Sequence, residues 1–241
     1  MASTVDVKVR RVPAAWVLKV TMAVTGLLWA AFVLIHLYGN TKVFFGAESF
    51  NGYAHWLRHA LYPLFPEGAV LWAFRIVLVI SLVLHVASAT ILWSRGRAAG
   101  GRPSRAALIA RFRGGRRSLQ AISARLMPFT GVMILAFVII HVLDLTTGTR
   151  PIATAEFGGH ETAYENLVAS FSRPWMAAFY VLMMLLIALH VFHGIRTAAQ
   201  DLGAMGYRLR LVAVWVAGLA SLAIVLGNAL IPLAVQMGIL T

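Results

Sequence analysis

Five long apolar segments constrain the fold of this chain more than any other feature of its sequence. A helix needs about 20 predominantly apolar residues to cross a bilayer, and each segment reaches that length. The segments run roughly over residues 17–38, 70–93, 126–145, 175–198 and 211–235. We therefore predict an all-α fold, an integral membrane bundle of five transmembrane helices that forms a single membrane domain over residues 1–241.

Composition supports this prediction and limits the chemistry of the chain. Hydrophobic residues make up 60% of the 241 residues and charged residues only 12%. The first apolar segment is too long for a cleavable signal and no clean small-x-small cleavage site follows it, so we expect it to stay as the first anchor. The chain has no cysteine, so a disulfide or a thiolate-bound iron–sulfur cluster would have to belong to a partner.

The formal net charge of +13 indicates orientation in the membrane rather than binding to nucleic acid. Most of the 21 Lys and Arg lie near the N-terminus, in the Arg- and Gly-rich stretch 95–125 and around 196–210, whereas most of the 8 acidic residues lie in the other loops. Basic residues mark the cytoplasmic side of membrane proteins. We predict that the N-terminus is cytoplasmic and that the C-terminus lies outside.

An internal duplication relates the first four segments. The sequence MAVTGLLWAAFVLIH at 22–36 matches MPFTGVMILAFVIIH at 127–141, with Met, Thr-Gly, Ala-Phe-Val, Ile and His at equivalent positions. The second and fourth segments share only Leu-His-Val, at 84–86 and 189–191. We interpret the pattern as two related helical hairpins followed by a fifth helix without histidine.

Four histidines within these segments fall into two pairs of equal depth. His85 and His190 each lie about 22 Å from the outer start of their helices, near the cytoplasmic third of the membrane. His36 and His141 lie close to the outer ends, roughly 15–20 Å above them. We call His85 and His190 the inner pair, and His36 and His141 the outer pair.

Ionisable side chains at membrane depth normally face the bundle interior and have a partner. Haem b fits these pairs best, because its iron takes one neutral imidazole from each of two facing helices at one depth. Hydrogen-bonded packing histidines and a proton relay are the alternatives, although the only acid next to a helical histidine is Asp144. Zinc or copper would lack a full tetrahedral ligand set with two imidazoles per level.

Several motifs resemble one family over nearly the whole chain. They are FVLIH, LVLH, FVIIHVLDLT, VASFSRPW, and LHVFHG followed by DLG. With them the chain resembles the five-helix, two-haem cytochrome b membrane-anchor subunit of succinate:menaquinone oxidoreductases and the related fumarate reductases, and it is most similar to the actinobacterial type.

The resemblance implies a multi-pass protein of the cytoplasmic (cell) membrane that carries no succinate chemistry itself. Its partners would be a flavoprotein subunit and an iron–sulfur subunit on the cytoplasmic face, besides membrane lipid. Two b haems would be the cofactors, the proximal one held by His85 and His190 and the distal one by His36 and His141. Electrons from succinate would pass through both haems to menaquinone, the substrate, at the outer end.

Further residues are candidates for the cofactor and quinone sites that the resemblance implies. His193, one turn beyond His190, is a candidate for binding a haem propionate. Arginines at helix ends are candidates for the same role: Arg75 and Arg173 at the outer end, and Arg125 and Arg196 at the inner end. Asp144 and Glu67 are candidate proton donors to the quinone.

One position departs from the family pattern. Some family members carry a carboxylate two residues before the helix-4 ligand, where this chain has Ala188. We therefore expect no proton path through this position, and expect electron transfer from succinate to menaquinone to draw on the membrane potential.

Three other functions share part of this pattern. One is a quinol-oxidising cytochrome b subunit of another respiratory oxidoreductase, such as a nitrate reductase, a hydrogenase or a formate dehydrogenase, but these place their histidines on fewer helices. The others are a haem-free membrane anchor and a proton-coupled carrier.

Overall fold

Seven α-helices make up most of the part of the chain that the structure, a computed structural model, describes. This part comprises residues 13–99, 119–159 and 161–241, without the side chains of 119–124. The helices are α1 (Ala15–Asn40), α2 (Ala47–His59), α3 (Ala69–Ala99), α4 (Leu119–His141), α5 (Ala163–Phe171), α6 (Pro174–Asp201) and α7 (Tyr207–Gln236). A 3-10 turn, Thr41–Phe45, follows α1, and a π-helical turn, Val142–Thr146, follows α4.

Five of these helices, α1, α3, α4, α6 and α7, are long and apolar enough to span a membrane. The predicted five-helix membrane bundle is therefore confirmed. The helices extend beyond the predicted segments, most clearly α3, because arginine is a good helix former and can continue a helix into water. At the end of α3, Arg97 lies over the ring of Trp93 at 4.8 Å and Arg95 donates a hydrogen bond to the carbonyl of Pro13 at 2.8 Å.

The long helix α6 lies at the centre of the bundle. It packs against α1, α4 and α7, while α1 also packs against α3 and α7. Small residues permit close approach where α1, α6 and α7 meet, since Ala30, Ala217 and Ala220 are buried there with Ile195. Within the described ranges, the helices that share a histidine pair, α3 with α6 and α1 with α4, are not among the extensively packed pairs.

Two short helices cover the outer end of the bundle. Helix α2 lies between α1 and α3, and α5 lies between α4 and α6; neither was among the five predicted helices. The two are joined through Asn51, which donates to Glu165 at 3.0 Å and accepts a hydrogen bond from the backbone N–H of Tyr164 at 2.8 Å. The outer loops are therefore folded onto each other above α4 and α6.

The predicted membrane orientation stays a prediction. Most of the basic N-terminal segment and most of the Arg-rich stretch 95–125 lie outside the described residues.

Candidate functional site: two histidine pairs

The structure brings the four membrane histidines together in the predicted pairs. The ring centres are 6.5 Å apart for His85 and His190, and 5.9 Å apart for His36 and His141. Two imidazole nitrogens bound to one metal ion at about 2 Å each place the ring centres roughly 6 Å apart. Both spacings therefore fit an iron ion held between two imidazoles, although the metal role of these residues stays a prediction.

The two pairs lie at different depths in the bundle, and α1 and α4 each contact both levels. Thr25 contacts the inner pair and His36 belongs to the outer pair, and 11 residues of α1 separate them. At 1.5 Å per residue the levels are about 16 Å apart. On α4, Thr130 and His141 have the same spacing.

A threonine fixes each imidazole of the inner pair. Thr25 Oγ1 lies 3.2 Å from Nδ1 of His85, and Thr130 Oγ1 lies 3.0 Å from Nδ1 of His190. Each hydroxyl donates its proton to a carbonyl of its own helix, that of Thr21 at 2.6 Å or that of Leu126 at 3.0 Å. Each hydroxyl therefore accepts a hydrogen bond from Nδ1–H, and the Nδ1–H of His85 also donates to the carbonyl of Met22 at 3.1 Å. This tautomer leaves Nε2 as the metal-binding nitrogen.

A glycine follows each of these threonines and leaves room for the facing ring. A Cβ atom on Gly26 would lie 3.0 Å from Cε1 of His85, and one on Gly131 would lie 3.7 Å from Cε1 of His190. The Thr-Gly pair, which the duplicated segments share, thus contacts the inner histidine of its own hairpin in both cases. Sequence reasoning did not assign Thr25, Thr130 or these glycines to the site, although their recurrence at equivalent positions was the available signal.

The outer pair has different neighbours. The ring of His36 stacks on Phe32 with a centre distance of 5.5 Å, and that of His141 stacks on Phe137 at 5.6 Å. Nδ1 of His141 lies 3.4 Å from the hydroxyl of Tyr180. Among the described residues no tyrosine contacts the inner pair in this way, and sequence reasoning did not identify Tyr180.

Behind Tyr180 lies a buried group of polar residues, which we call the outer polar cluster: Asp144, Ser170, Arg173 and Tyr180. The side chain of Asp144 has no exposed surface, and an oxygen of its carboxylate lies 2.7 Å from Arg173. Arg173 also donates to the carbonyl of Ile152 at 2.7 Å. Asp144, a candidate proton donor, and Arg173, a candidate propionate ligand, are thus bound to each other.

The remaining outer candidates, Glu67 and Arg75, lie together. Glu67 is exposed and lies 3.6 Å from Nε2 of His59. Both candidates line a cavity of about 330 Å³, in which Arg75 stacks over Trp72 at 4.9 Å.

The inner candidates lie at the other end of the bundle. His193 is half-buried on α6, and Arg125 is exposed on α4. Arg196 lies over the ring of Phe192 at 5.3 Å, and its buried Nε has no hydrogen-bond partner among the described residues. Arg196 lines a cavity of about 420 Å³ together with Tyr207 and Arg210. A cavity with two arginines suits an anionic group, which is compatible with the propionate role predicted for Arg196.

Comparison with known proteins gives one match. The family model described as succinate dehydrogenase/fumarate reductase transmembrane subunit matches residues 103–229, more than half of the chain. This range contains His141 and His190 but not His36 and His85. Searches of the curated proteins and of the solved structures found no match.

Proposed function

The chain belongs to the family of succinate dehydrogenase/fumarate reductase transmembrane subunits, and on this premise we propose that it is the dihaem cytochrome b subunit of a succinate dehydrogenase. Members of the family are membrane subunits of oxidoreductase complexes, and this chain is accordingly a multi-pass membrane subunit that partners with the other subunits. In the proposed complex it anchors the flavoprotein and iron–sulfur subunits in the cytoplasmic membrane and carries electrons from succinate to menaquinone.

One observation carries the dihaem part of the proposal. Two histidine pairs at different depths each have ring centres at the spacing that a shared iron requires, 6.5 and 5.9 Å. A packing role does not explain why the chain twice brings two imidazoles close together from helices that are not extensively packed together within the described residues. Bound haem would supply a one-electron carrier at each of the two depths.

The residues of the chain have separate tasks in this function. His85 and His190 hold the inner group, and His36 and His141 hold the outer one. Thr25 and Thr130 keep the two inner imidazoles in the tautomer that has Nε2 free. The ligands lie within apolar membrane-spanning helices, which give them a low-dielectric environment.

Charge supports the proposed partners. At the inner end the described residues include Arg95 and Arg97 on α3, Arg125 on α4 and the arginines at the inner ends of α6 and α7, and this positive charge suits both an acidic partner subunit and anionic lipid. At the opposite end lie the outer pair and the aromatic α2, where we place menaquinone reduction.

An absorption spectrum of the purified protein tests the dihaem proposal. We expect sharp reduced bands of bis-imidazole b haem, with two haems per chain. Absence of the reduced haem bands from the protein in its native complex would contradict the proposal and favour a haem-free anchor.

The membrane potential is expected to support the proposed reaction. Electrons that pass from a cytoplasmic donor to an outer quinone move charge across the membrane, at about 2.3 kcal/mol per charge per 100 mV. The position at which some relatives carry a carboxylate is the buried Ala188, whose carbonyl accepts a hydrogen bond from Ser221 at 2.9 Å. Uncoupler should therefore abolish succinate:menaquinone activity in intact cells and leave activity with a soluble acceptor unchanged. Quinone activity that survives the uncoupler would refute this prediction.

A further inference from the structure

The outer polar cluster holds the hydroxyl of Tyr180 in a defined orientation. Asp144 accepts hydrogen bonds from Ser170 at 2.5 Å, from Arg173 at 2.7 Å and from Tyr180 at 3.2 Å. Charge-assisted bonds of this kind are strong and directional, and the carboxylate is fully buried. The Tyr180 hydroxyl therefore donates its proton to the hydrogen bond with Asp144.

This orientation decides which atom donates between Tyr180 and His141. Since the phenol proton points at the carboxylate, the phenol oxygen presents lone pairs to Nδ1 of His141, 3.4 Å away. Nδ1 must then carry the hydrogen and donate it. Hydrogen bonds therefore connect His141 to Tyr180 and Tyr180 to the carboxylate of Asp144.

The inner pair has no such chain among the described residues. The threonines that accept from His85 and His190 pass their own protons to neutral backbone carbonyls. His36, the other member of the outer pair, stacks on Phe32 and makes no hydrogen bond through its ring within the described part of the chain. Among the described residues, His141 is thus the one imidazole of the four that is connected to a carboxylate, through the hydrogen bonds of a tyrosine hydroxyl.

Building on the dihaem function proposed above, we propose that Tyr180, held by Asp144, is a positioning residue that accepts the Nδ1 hydrogen bond of His141 and lowers the reduction potential of the outer haem alone. A partner that accepts from the far nitrogen of a ligating histidine raises the basicity of that ligand. A more basic ligand stabilises the ferric state, and second-shell hydrogen bonds are one of the protein's means of setting haem potentials. Different hydrogen-bond partners of the histidine ligands would thereby set the reduction potentials of the two haems.

Redox titration of the purified native complex tests this inference, with the variants Tyr180→Phe and Asp144→Asn. Tyr180→Phe should raise the midpoint potential of one haem and leave the other unchanged. Asp144→Asn keeps the phenol but removes the negative charge to which it donates, so it should raise the potential of the same haem. Two controls define the assignment. Thr130→Val should shift only the other haem, and Tyr164→Phe, a buried tyrosine whose hydroxyl makes no hydrogen bond among the described residues, should shift neither.

The outcomes separate this inference from the function on which it rests. Two haems whose potentials do not change in Tyr180→Phe, or that change equally, would refute the role of Tyr180 and leave the dihaem function intact. The same holds if Tyr180→Phe and Thr130→Val shift the same haem. Absence of haem from the unmodified complex would instead refute the proposed function. The electron paramagnetic resonance signal of the low-spin ferric outer haem gives a second measurement. This signal should change in both Tyr180→Phe and Asp144→Asn.

Discussion

Replacement of His190 by alanine is expected to remove one of the two proposed b haems from the protein and to leave the other in place. His85→Ala should remove the same haem, because the centres of the two rings lie 6.5 Å apart and the iron would lose one of its two ligands in either variant. His36→Ala or His141→Ala should remove the other haem. Loss of second-shell partners alone typically costs 10–100-fold, so we expect succinate:quinone activity to fall by more than about 100-fold in each ligand variant.

The chain provides a matched control for this experiment on the same helix. His193 lies one turn from His190 and is half-buried, yet it faces no second histidine in the described structure. His193→Ala should retain both haems. The measurements are the haem content per chain, the reduced spectrum and quinone activity. Both haem signals intact in His85→Ala or His190→Ala would refute the pairing, as would loss of different haems from these two variants.

Replacement of Arg173 by alanine is expected to destabilise the protein more than any other single change at its outer end. Arg173 is the charged partner of Asp144, whose side chain has no exposed surface, and the two atoms lie 2.7 Å apart. Removing one member of a buried ion pair leaves an uncompensated charge and costs about 3–5 kcal/mol. Arg173 also donates to the carbonyls of Ile152 and Ser170, so its loss would release the loop before α5 as well.

The ion pair between the exposed Lys19 and the partly buried Asp201 provides the control. Its atoms are 3.6 Å apart and the Lys19 side chain is 54% exposed, so Lys19→Ala should cost at most about 1 kcal/mol. Apparent melting temperatures of the detergent-solubilised variants would measure the difference. The double variant Asp144→Ala, Arg173→Ala should be less destabilised than the sum of its single variants. Equal small effects of Arg173→Ala and Lys19→Ala would contradict the structural role of the buried pair.

The five spans and the pairing of the histidines could be predicted from the sequence because both depend on position along the chain. Hydropathy is a property of contiguous residues, and 20 apolar residues have few stable alternatives to a membrane helix. Depth follows from helical rise, so His85 and His190 could be assigned to one level before any contact was known. The repeat of Thr-Gly at 25–26 and 130–131 was visible too, but its contacts with His85 and His190 could not be predicted from the sequence.

The hydrogen-bond partners of the candidate site depended on the tertiary structure. Asp144 and Arg173 were predicted to serve a quinone and a propionate separately, and the fold binds them to each other. Tyr180 was one aromatic residue among many in an apolar segment. Its contact with His141 requires a particular rotation of α6 against α4 about their axes, which a segment's own hydropathy does not set. Likewise, the position of α5 over Asp144 depends on contacts with α2 more than 100 residues away in the chain.

The sequence by itself determined how many times this chain crosses the membrane and at which depths its imidazoles lie, since length and helical rise are local quantities. Only the tertiary structure decided which polar groups satisfy one another between the helices. That choice depends on helix rotation and on the packing of outer loops, because a buried donor or acceptor is stable only where a partner from a distant part of the chain meets it.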